Sequence, residues 1–239
     1  MALPYKDQSA SKKAQIAGMF NNIAHRYDFL NHFLSLGIDK LWRRKAINLL
    51  KPKAPKSILD LATGTGDLAI AALKLNPEKI IGLDISTGML AKGNEKIKKQ
   101  KLHPRIELLE GDSENIPYPE NHFDAITVAF GVRNFENLEK GLSEMHRVLH
   151  NGGACVILEF SKPRSFPMKQ LYGFYFKNIL PLLGKMVSQD QSAYTYLPES
   201  VQEFPDGPDF LAILEKLHFR NLRIYPVSLG IASIYYAEK

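Results

Sequence analysis

Residues 57–70, S-I-L-D-L-A-T-G-T-G-D-L-A-I, leave this chain few architectures. Ser57 to Leu61 is a short apolar run carrying one acid, Asp60, the pattern of a buried strand. Thr63-Gly64-Thr65-Gly66 then halts any regular element, because glycine accepts backbone angles closed to other residues. From Asp67 onward the spacing of Leu68, Ala69, Ala71, Ala72 and Leu73 favours a helix. A strand, a glycine loop and a helix in that order bring backbone close to a ligand at a helix N-terminus, whose first N–H groups lack intrahelical partners. The stretch predicts a nucleotide site.

Two nucleotides compete for it. Gly64-Thr65-Gly66-Asp67-Leu68-Ala69 matches the dinucleotide pattern G-x-G-x-x-G/A, and Asp84 follows Gly64 by 20 residues. That reading gives an NAD-binding oxidoreductase. The rival is S-adenosylmethionine, whose sulfonium is cationic and which has no pyrophosphate; it favours acids near the loop, and Asp60 and Asp67 supply them. Asp67 also reads as an ordinary first-turn acid favoured by the helix dipole. Asp60 is harder to set aside, because an unpaired carboxylate in a buried strand is costly.

The rest of the chain repeats the alternation. Strands are expected at 79–84, 105–109, 123–129 and 154–160, with helices between them, one starting at Ser86 or Thr87 and one carrying Leu138, Leu142, Met145 and Leu149 before a stop at Asn151-Gly152-Gly153. This predicts an α/β fold with a doubly wound, mostly parallel sheet, whose ligand lies at the carboxyl ends of the strands. Gly64, Thr65 and Gly66, Asp84, Asp112-Ser113 and Arg133-Asn134 all fall at such ends. Asp84 suits a ribose, since a carboxylate accepts from two vicinal hydroxyls, and Asp112 suits an adenine amino group with Ser113 close to the ring. A helix at 209–217, a strand at 222–226 and a last strand at 228–237 follow; the short connection makes the last strand antiparallel, giving seven strands in all.

Two regions stand outside the alternation. Residues 1–15 are polar and read as mobile; Phe20 to Leu50 reads as a helical pair, broken at Leu36-Gly37-Ile38 and restarted by Asp39 as a cap. The apolar stripe of this pair, Phe20, Ile23, Tyr27, Leu30 and Leu34, leaves three roles open: a lid, a homodimer surface or plain packing. Residues 161–207 hold Phe166, Tyr172, Phe174, Tyr175, Phe176, Tyr194, Tyr196 and Phe204, with Pro181 inside, and read either as core or as the wall of a site for a large flat or lipidic ligand. The expected organisation is one domain over 1–239, divided into an N-terminal helical cap (1–53), a cofactor-binding core (54–160), an aromatic substrate-side insertion (161–207) and a closing helix and hairpin (208–239).

Composition narrows the setting. The net charge is +6, from 31 basic and 25 acidic residues, and much of the excess is the run Lys92–Lys101. That run reads as a solvated helix face; no nucleic-acid motif accompanies it. The single cysteine, Cys155, excludes an internal disulfide and a cysteine metal cluster and suits a reducing compartment. M-A-L-P-Y-K-D-Q carries no apolar signal region and no run approaches ~18 apolar residues, so a cytoplasmic protein without a membrane span is expected. Phe166 to Phe176, beside Lys162, Arg164 and Lys169, predicts peripheral contact with the inner face of a membrane.

With these residues in hand, the chain resembles the ubiquinone/menaquinone biosynthesis C-methyltransferase family over nearly its whole length. The matching stretches are F-N-N-I-A-H-R-Y-D-F-L-N (20–31), G-I-D-K-L-W-R-R (37–44), L-D-L-A-T-G-T-G-D (59–67), G-L-D-I-S-T-G-M-L (82–90), P-Y-P-E-N-H-F-D (117–124), F-G-V-R-N (130–134) and L-E-F-S-K-P (158–163). The glycine loop and D-I-S recur across methyltransferases; the Tyr27-Asp28-x-x-Asn31 segment, F-G-V-R-N and E-F-S-K-P are specific to quinone methylation. The resemblance implies the class I S-adenosylmethionine-dependent fold, S-adenosyl-L-methionine as cofactor, and cofactor contacts at Thr65, Asp84, Asp112 and Ser113. Some members place a cofactor-contacting serine before F-G-x-R-N; here that position is Ala129.

It further implies methyl transfer to a ring carbon of a prenylated quinol, demethylmenaquinol giving menaquinol. Such a carbon becomes nucleophilic as the adjacent phenol loses its proton, so the site must orient two reactants, stabilise phenolate charge and place a proton acceptor. Arg133 is the electrostatic candidate, with Asn134 and Tyr27 aligning the ring; guanidinium does not readily act as a base, and His25 or Asp28 is left to take the proton. A methyltransferase for another small apolar acceptor and a nucleotide-sensing module without catalysis complete the alternatives.

Overall fold

The computed structural model describes residues 2–5, 10–25, 27, 35, 37–174, 178 and 192–239. Seven strands form one sheet: β1 (Ser57–Leu61), β2 (Lys79–Asp84), β3 (Ile106–Glu110), β4 (Phe123–Ala129), β5 (Leu149–Phe160), β6 (Arg220–Val227) and β7 (Ala232–Glu238). Their order is β3-β2-β1-β4-β5-β7-β6. β1 pairs in parallel with β2 and β4, and β4 with β5, whereas β7 runs antiparallel to both β5 and β6. The order reverses between β1 and β4, so the ligand crevice of such a sheet lies above the end of β1.

Successive residues of β1 feed opposite faces: Ile58 joins the core under α2 (Ile38–Leu49), α3 (Asp67–Ala72) and α4 (Thr87–Lys99), while Leu59 and Leu61 join the core under α5 (Leu138–Val148) and α8 (Pro208–Lys216). Burial on both faces is why the strands read as continuous apolar runs. Cys155 is one of these core residues, and burial pushes its thiol up to about 12. Among the described residues no helix is long and apolar enough to cross a membrane.

Several elements differ from the sequence reading. Residues 11–15 are not loose: α1 (Lys12–Ile23) starts eight residues before the expected helix, Ser11 Oγ accepts from the Ala14 N–H at 3.2 Å, and Lys12, Gln15, Ile16 and Met19 are buried. Its polar residues bond to the protein, which composition alone does not reveal. Gly37, at φ +75°, opens α2, and Asp39 sits inside its first turn, paired with Arg43 and bonded to Ser35 Oγ. Asn151-Gly152-Gly153 does not stop α5, which ends at Val148; it lies in β5, where the register with β4 jumps between Phe123 and Ala125. Positive φ at Ser228, Leu229 and Gly230 makes a turn there and delays β7 to Ala232.

In the aromatic insertion Tyr172, Tyr196 and Phe204 are buried, whereas Phe166 is 82% exposed, Leu171 57% and Phe174 60%. Two helices carry the described part of this region, α6 (Met168–Phe174) and α7 (Ser192–Glu203). Leu30, Leu34, Leu36, Tyr175, Phe176 and Pro181 lie outside the described residues, as does the Tyr194 side chain.

Asp60 is wholly buried, and its two carboxylate oxygens accept from Thr63 Oγ1 and Thr127 Oγ1, each at 2.6 Å. Burial pushes its carboxyl up to about 6, against the pull of the Thr127 and Thr63 hydroxyls and the field of Arg43. The folded state therefore holds a proton that the unfolded chain releases at lower pH, and stability from this group is lost as pH rises from about 4 through about 6. Asp60→Asn abolishes that titration. The stability of wild type relative to Asp60→Asn should fall by on the order of 3 kcal/mol between pH 4 and pH 7, read as paired urea midpoints; a constant difference would contradict the buried titration.

Candidate active site

One cleft, with roughly 670 Å³ of empty space, opens at the carboxyl ends of β1, β2 and β4. Gly64, Asp84, Asp112, Ser113 and Asn134 line it from the strand-end loops, and Lys13, Ile16 and Phe20 of α1 line it from above, with Tyr27. Gly64 holds φ +56°, and a side chain built there would reach Tyr27 Cε1 at 3.9 Å, so the bare backbone forms this part of the wall. α1 is held over the cleft by Asn21, whose Oδ1 accepts from Ser86 Oγ and the Gly88 N–H, each at 2.8 Å.

Thr65 and Gly66 do not line this cleft. Thr65 Oγ1 takes Lys96 Nζ at 3.1 Å, and Gly66, at φ +81°, closes the turn onto the Thr63 carbonyl at 2.9 Å. The two acids expected near a sulfonium are likewise engaged elsewhere: Asp60 with its two threonines, Asp67 with Lys96 Nζ at 2.7 Å. Part of the basic run on α4 thus braces the glycine loop. His25 is exposed and off the cleft wall, and Asp28 and Asn31 lie outside the described residues.

Of the acids named from the sequence, Asp84 and Asp112 line the cleft. Asp84 Oδ2 accepts the Gly64 N–H and Oδ1 the Ser86 N–H, both at 2.8 Å, which aims the carboxylate while leaving lone pairs for a ligand. Burial pushes its carboxyl above the ordinary range against those two bonds. Asp112 Oδ1 accepts the Glu114 N–H at 2.9 Å, and Oδ2 takes Lys13 Nζ at 2.5 Å; that hydrogen bond holds the Lys13 ammonium above its ordinary range.

This donor set discriminates between the two nucleotides. A pyrophosphate needs free N–H groups and cations, yet the Gly64 and Gly66 N–H groups are taken, and the described lining offers Asp84, Asp112, Glu114 and Glu136 against one ammonium, Lys13. A cationic nucleoside fits that balance.

At the other end, Arg133 and Asn134 sit on the short 3-10 turn Val132–Asn134 after β4. Phe130, two residues before this turn, is held at φ +59°, a conformation costly for a bulky side chain. Its N–H donates to the Leu158 carbonyl at 2.7 Å and its carbonyl accepts Arg133 Nη1 at 2.6 Å. Arg133 does not line the cleft and does not pair with Glu136: Nη1 meets the buried Glu159 at 2.8 Å. Burial pushes the Glu159 carboxyl up, and the Arg133 charge opposes that. Arg133 Nε is buried with no hydrogen-bond partner among the described residues.

Lys13 and Glu114 also line the cleft, Lys12, Glu159 and Tyr196 bond to the turn beside it, and the sequence reading assigned none of them to the site. Lys12 Nζ donates to the carbonyls of Phe135 at 2.8 Å and Arg133 at 3.2 Å, and burial pushes its ammonium below the ordinary range. Glu114 caps the next helix by accepting the Glu136 and Asn137 N–H groups at 2.8 and 3.0 Å. A signal existed for Glu159, a lone acid ending the apolar run Cys155–Leu158 as Asp60 interrupts its own; for Lys12, Lys13 and Tyr196 nothing in the pattern distinguishes them from surface or core residues.

A seven-stranded sheet in this order, closed by an antiparallel β7 and bearing an acid-rich cleft above β1, defines the class I methyltransferase architecture. A SAM-dependent methyltransferase from Thermotoga maritima has the same fold, at a TM-score of 0.66 and 17% identity, over 93% of this chain and 99% of that one. The model of the ubiE/COQ5 methyltransferase family matches residues 8–239. A Bacteroides fragilis demethylmenaquinone methyltransferase is 50% identical over 99% of this chain and 96% of its own length. A Geobacter sulfurreducens ubiquinone/menaquinone biosynthesis C-methyltransferase UbiE is 45% identical over 95% and 90%. The chain belongs to the ubiE/COQ5 methyltransferase family.

Lys12 links α1 to the turn that carries Asn134. Lys12→Met keeps the apolar stem and removes both hydrogen bonds from buried carbonyls, so a loss of about 1–3 kcal/mol is expected from urea unfolding. A loss below about 0.5 kcal/mol would mean that the clamp contributes nothing beyond a surface contact.

Proposed function

We propose that this enzyme transfers a methyl group from S-adenosyl-L-methionine to a ring carbon of a prenylated quinol, demethylmenaquinol giving menaquinol. The observation that carries the reading is the mixed lining of the cleft, which sets the carboxylates of Asp84 and Asp112 in one wall with the rings of Phe20, Tyr27, Phe130 and Phe135 and the amide of Asn134. The names of the relatives at 50% and 45% identity support the same acceptor class.

When bound, S-adenosyl-L-methionine supplies an electrophilic methyl on a sulfonium. Asp84 accepts from the ribose hydroxyls and Asp112 with Ser113 holds the adenine, while Gly64, Thr65 and Gly66 shape the loop, Gly64 as bare wall and the other two from behind it. Tyr27 and Asn134 align the acceptor ring. As its carbon attacks, negative charge develops on the neighbouring oxygen, and N–H donors fixed in place stabilise it without reorganising. Arg133 supports that oxygen by its charge from behind the cleft wall: Glu159 fixes its guanidinium, and it adjoins the cleft-lining Asn134. Residues 54–160 would then serve the cofactor and 161–207 the acceptor. Exposed Phe166, Leu171 and Phe174 beside Arg164 and Lys169 support peripheral contact with the membrane that holds the acceptor's tail.

The test of the reaction is a methyl-transfer assay with a demethylated naphthoquinol and a matched benzoquinol, where methylation of neither would overturn the reading. Arg133→Ala is expected to lower turnover ~10²–10³-fold with cofactor affinity near normal, and Arg133→Lys not to restore it, since lysine lacks the planar fork. If Arg133 only braces the turn, stability and cofactor affinity should fall together instead. Turnover, calorimetric affinity and melting temperature from one sample separate the two roles.

A further inference from the structure

We propose that Tyr196 is a positioning residue whose hydroxyl turns the Asn134 side-chain amide so that an N–H, and not the carbonyl, faces the acceptor oxygen. The inference rests on the quinol reading above. Asn134 Nδ2 lies 3.3 Å from the Phe130 carbonyl oxygen, which can only accept and which also takes Arg133 Nη1. An amide turned the other way would set one carbonyl oxygen against another. Phe130 therefore assigns the Nδ2 end, and Asn134 Oδ1 must face the Tyr196 hydroxyl, 3.0 Å away.

Because Oδ1 has no hydrogen, Tyr196 donates. The phenol is suited to that: it is 2% exposed in the core made by Ile16 and Met19 of α1, and burial pushes it up to about 12, so it keeps its proton at neutral pH. One Nδ2 hydrogen goes to Phe130. The second has no acceptor among the described residues, and Asn134 lines the cleft. An N–H there stabilises an oxygen gaining negative charge; a carbonyl in its place would repel it. Tyr196 touches neither reactant in this scheme. It removes the alternative orientation of the group that does.

The test combines Tyr196→Phe with Asn134→Ala. Tyr196→Phe alone should lower kcat roughly 10-fold, less than the ~10²–10³ for losing such a donor outright, with KM and cofactor affinity within about 2-fold of wild type. In the Asn134→Ala background it should cost nothing further, because its target is gone. An equal fall in both backgrounds, or no fall in either, would overturn the proposal. The Asn134 side-chain amide pair in a nitrogen–proton correlation spectrum, identified by its loss in Asn134→Ala, should shift in Tyr196→Phe; an unmoved pair would also overturn it. If wild type methylates no quinol, the functional reading fails and the acceptor half of this inference falls with it, while the amide signal still decides whether Tyr196 orients Asn134.

Discussion

Asp60 lies within a strand where no water reaches it, and two threonine hydroxyls at 2.6 Å take the place of solvent. One belongs to the glycine loop, three residues on; the other is its register partner on β4. A carboxylate bonded to both ties the loop after β1 to the strand that leads into Phe130 and Asn134. The glycine loop and the turn after β4, which both contribute to the cleft wall, are tied to each other through this group. Its burial is tolerated because both oxygens are satisfied.

The turn after β4 depends on a second buried charge. Glu159, at the end of β5, meets Arg133, and Arg133 in turn holds the carbonyl of Phe130 in its strained conformation. Lys12 from α1 and Tyr196 from α7 bond to the same turn. Strain of this size persists where the surroundings over-determine it, and here contacts from the N-terminal helix, β5 and the aromatic insertion do so. The turn is therefore a junction of segments far apart in sequence, which suits a group that must stay still while charge develops beside it.

Electrostatics decide the ligand more than the glycine pattern does. G-x-G-x-x-A serves dinucleotides and sulfonium nucleosides alike, since it only clears space and starts a helix. In this molecule the Gly64 and Gly66 N–H groups are already bonded, to Asp84 and to the Thr63 carbonyl, and the described cleft wall carries more carboxylates than ammonium groups. The first-turn acid that argued for a cation from sequence, Asp67, turns out to answer Lys96 and Arg43 behind the loop. The cofactor class is the one the sequence favoured, while neither Asp60 nor Asp67 lines the cleft.

What the sequence determined by itself were features set by local backbone and burial: the strands 57–61, 79–84 and 123–129, the glycine loop, the antiparallel closure, and the acids Asp84 and Asp112 at strand ends. Two-sided strand burial and glycine geometry act over a few residues, so they leave a local pattern. Tertiary structure alone decided which polar groups meet. Lys12 and Lys13 look like solvated charge until α1 is laid across the cleft. The Arg133 partner is Glu159, 26 residues away, and the Asn134 partner is Tyr196, 62 residues away. A hydrogen bond between distant segments is fixed by how the faces pack, and no spacing in the chain encodes it.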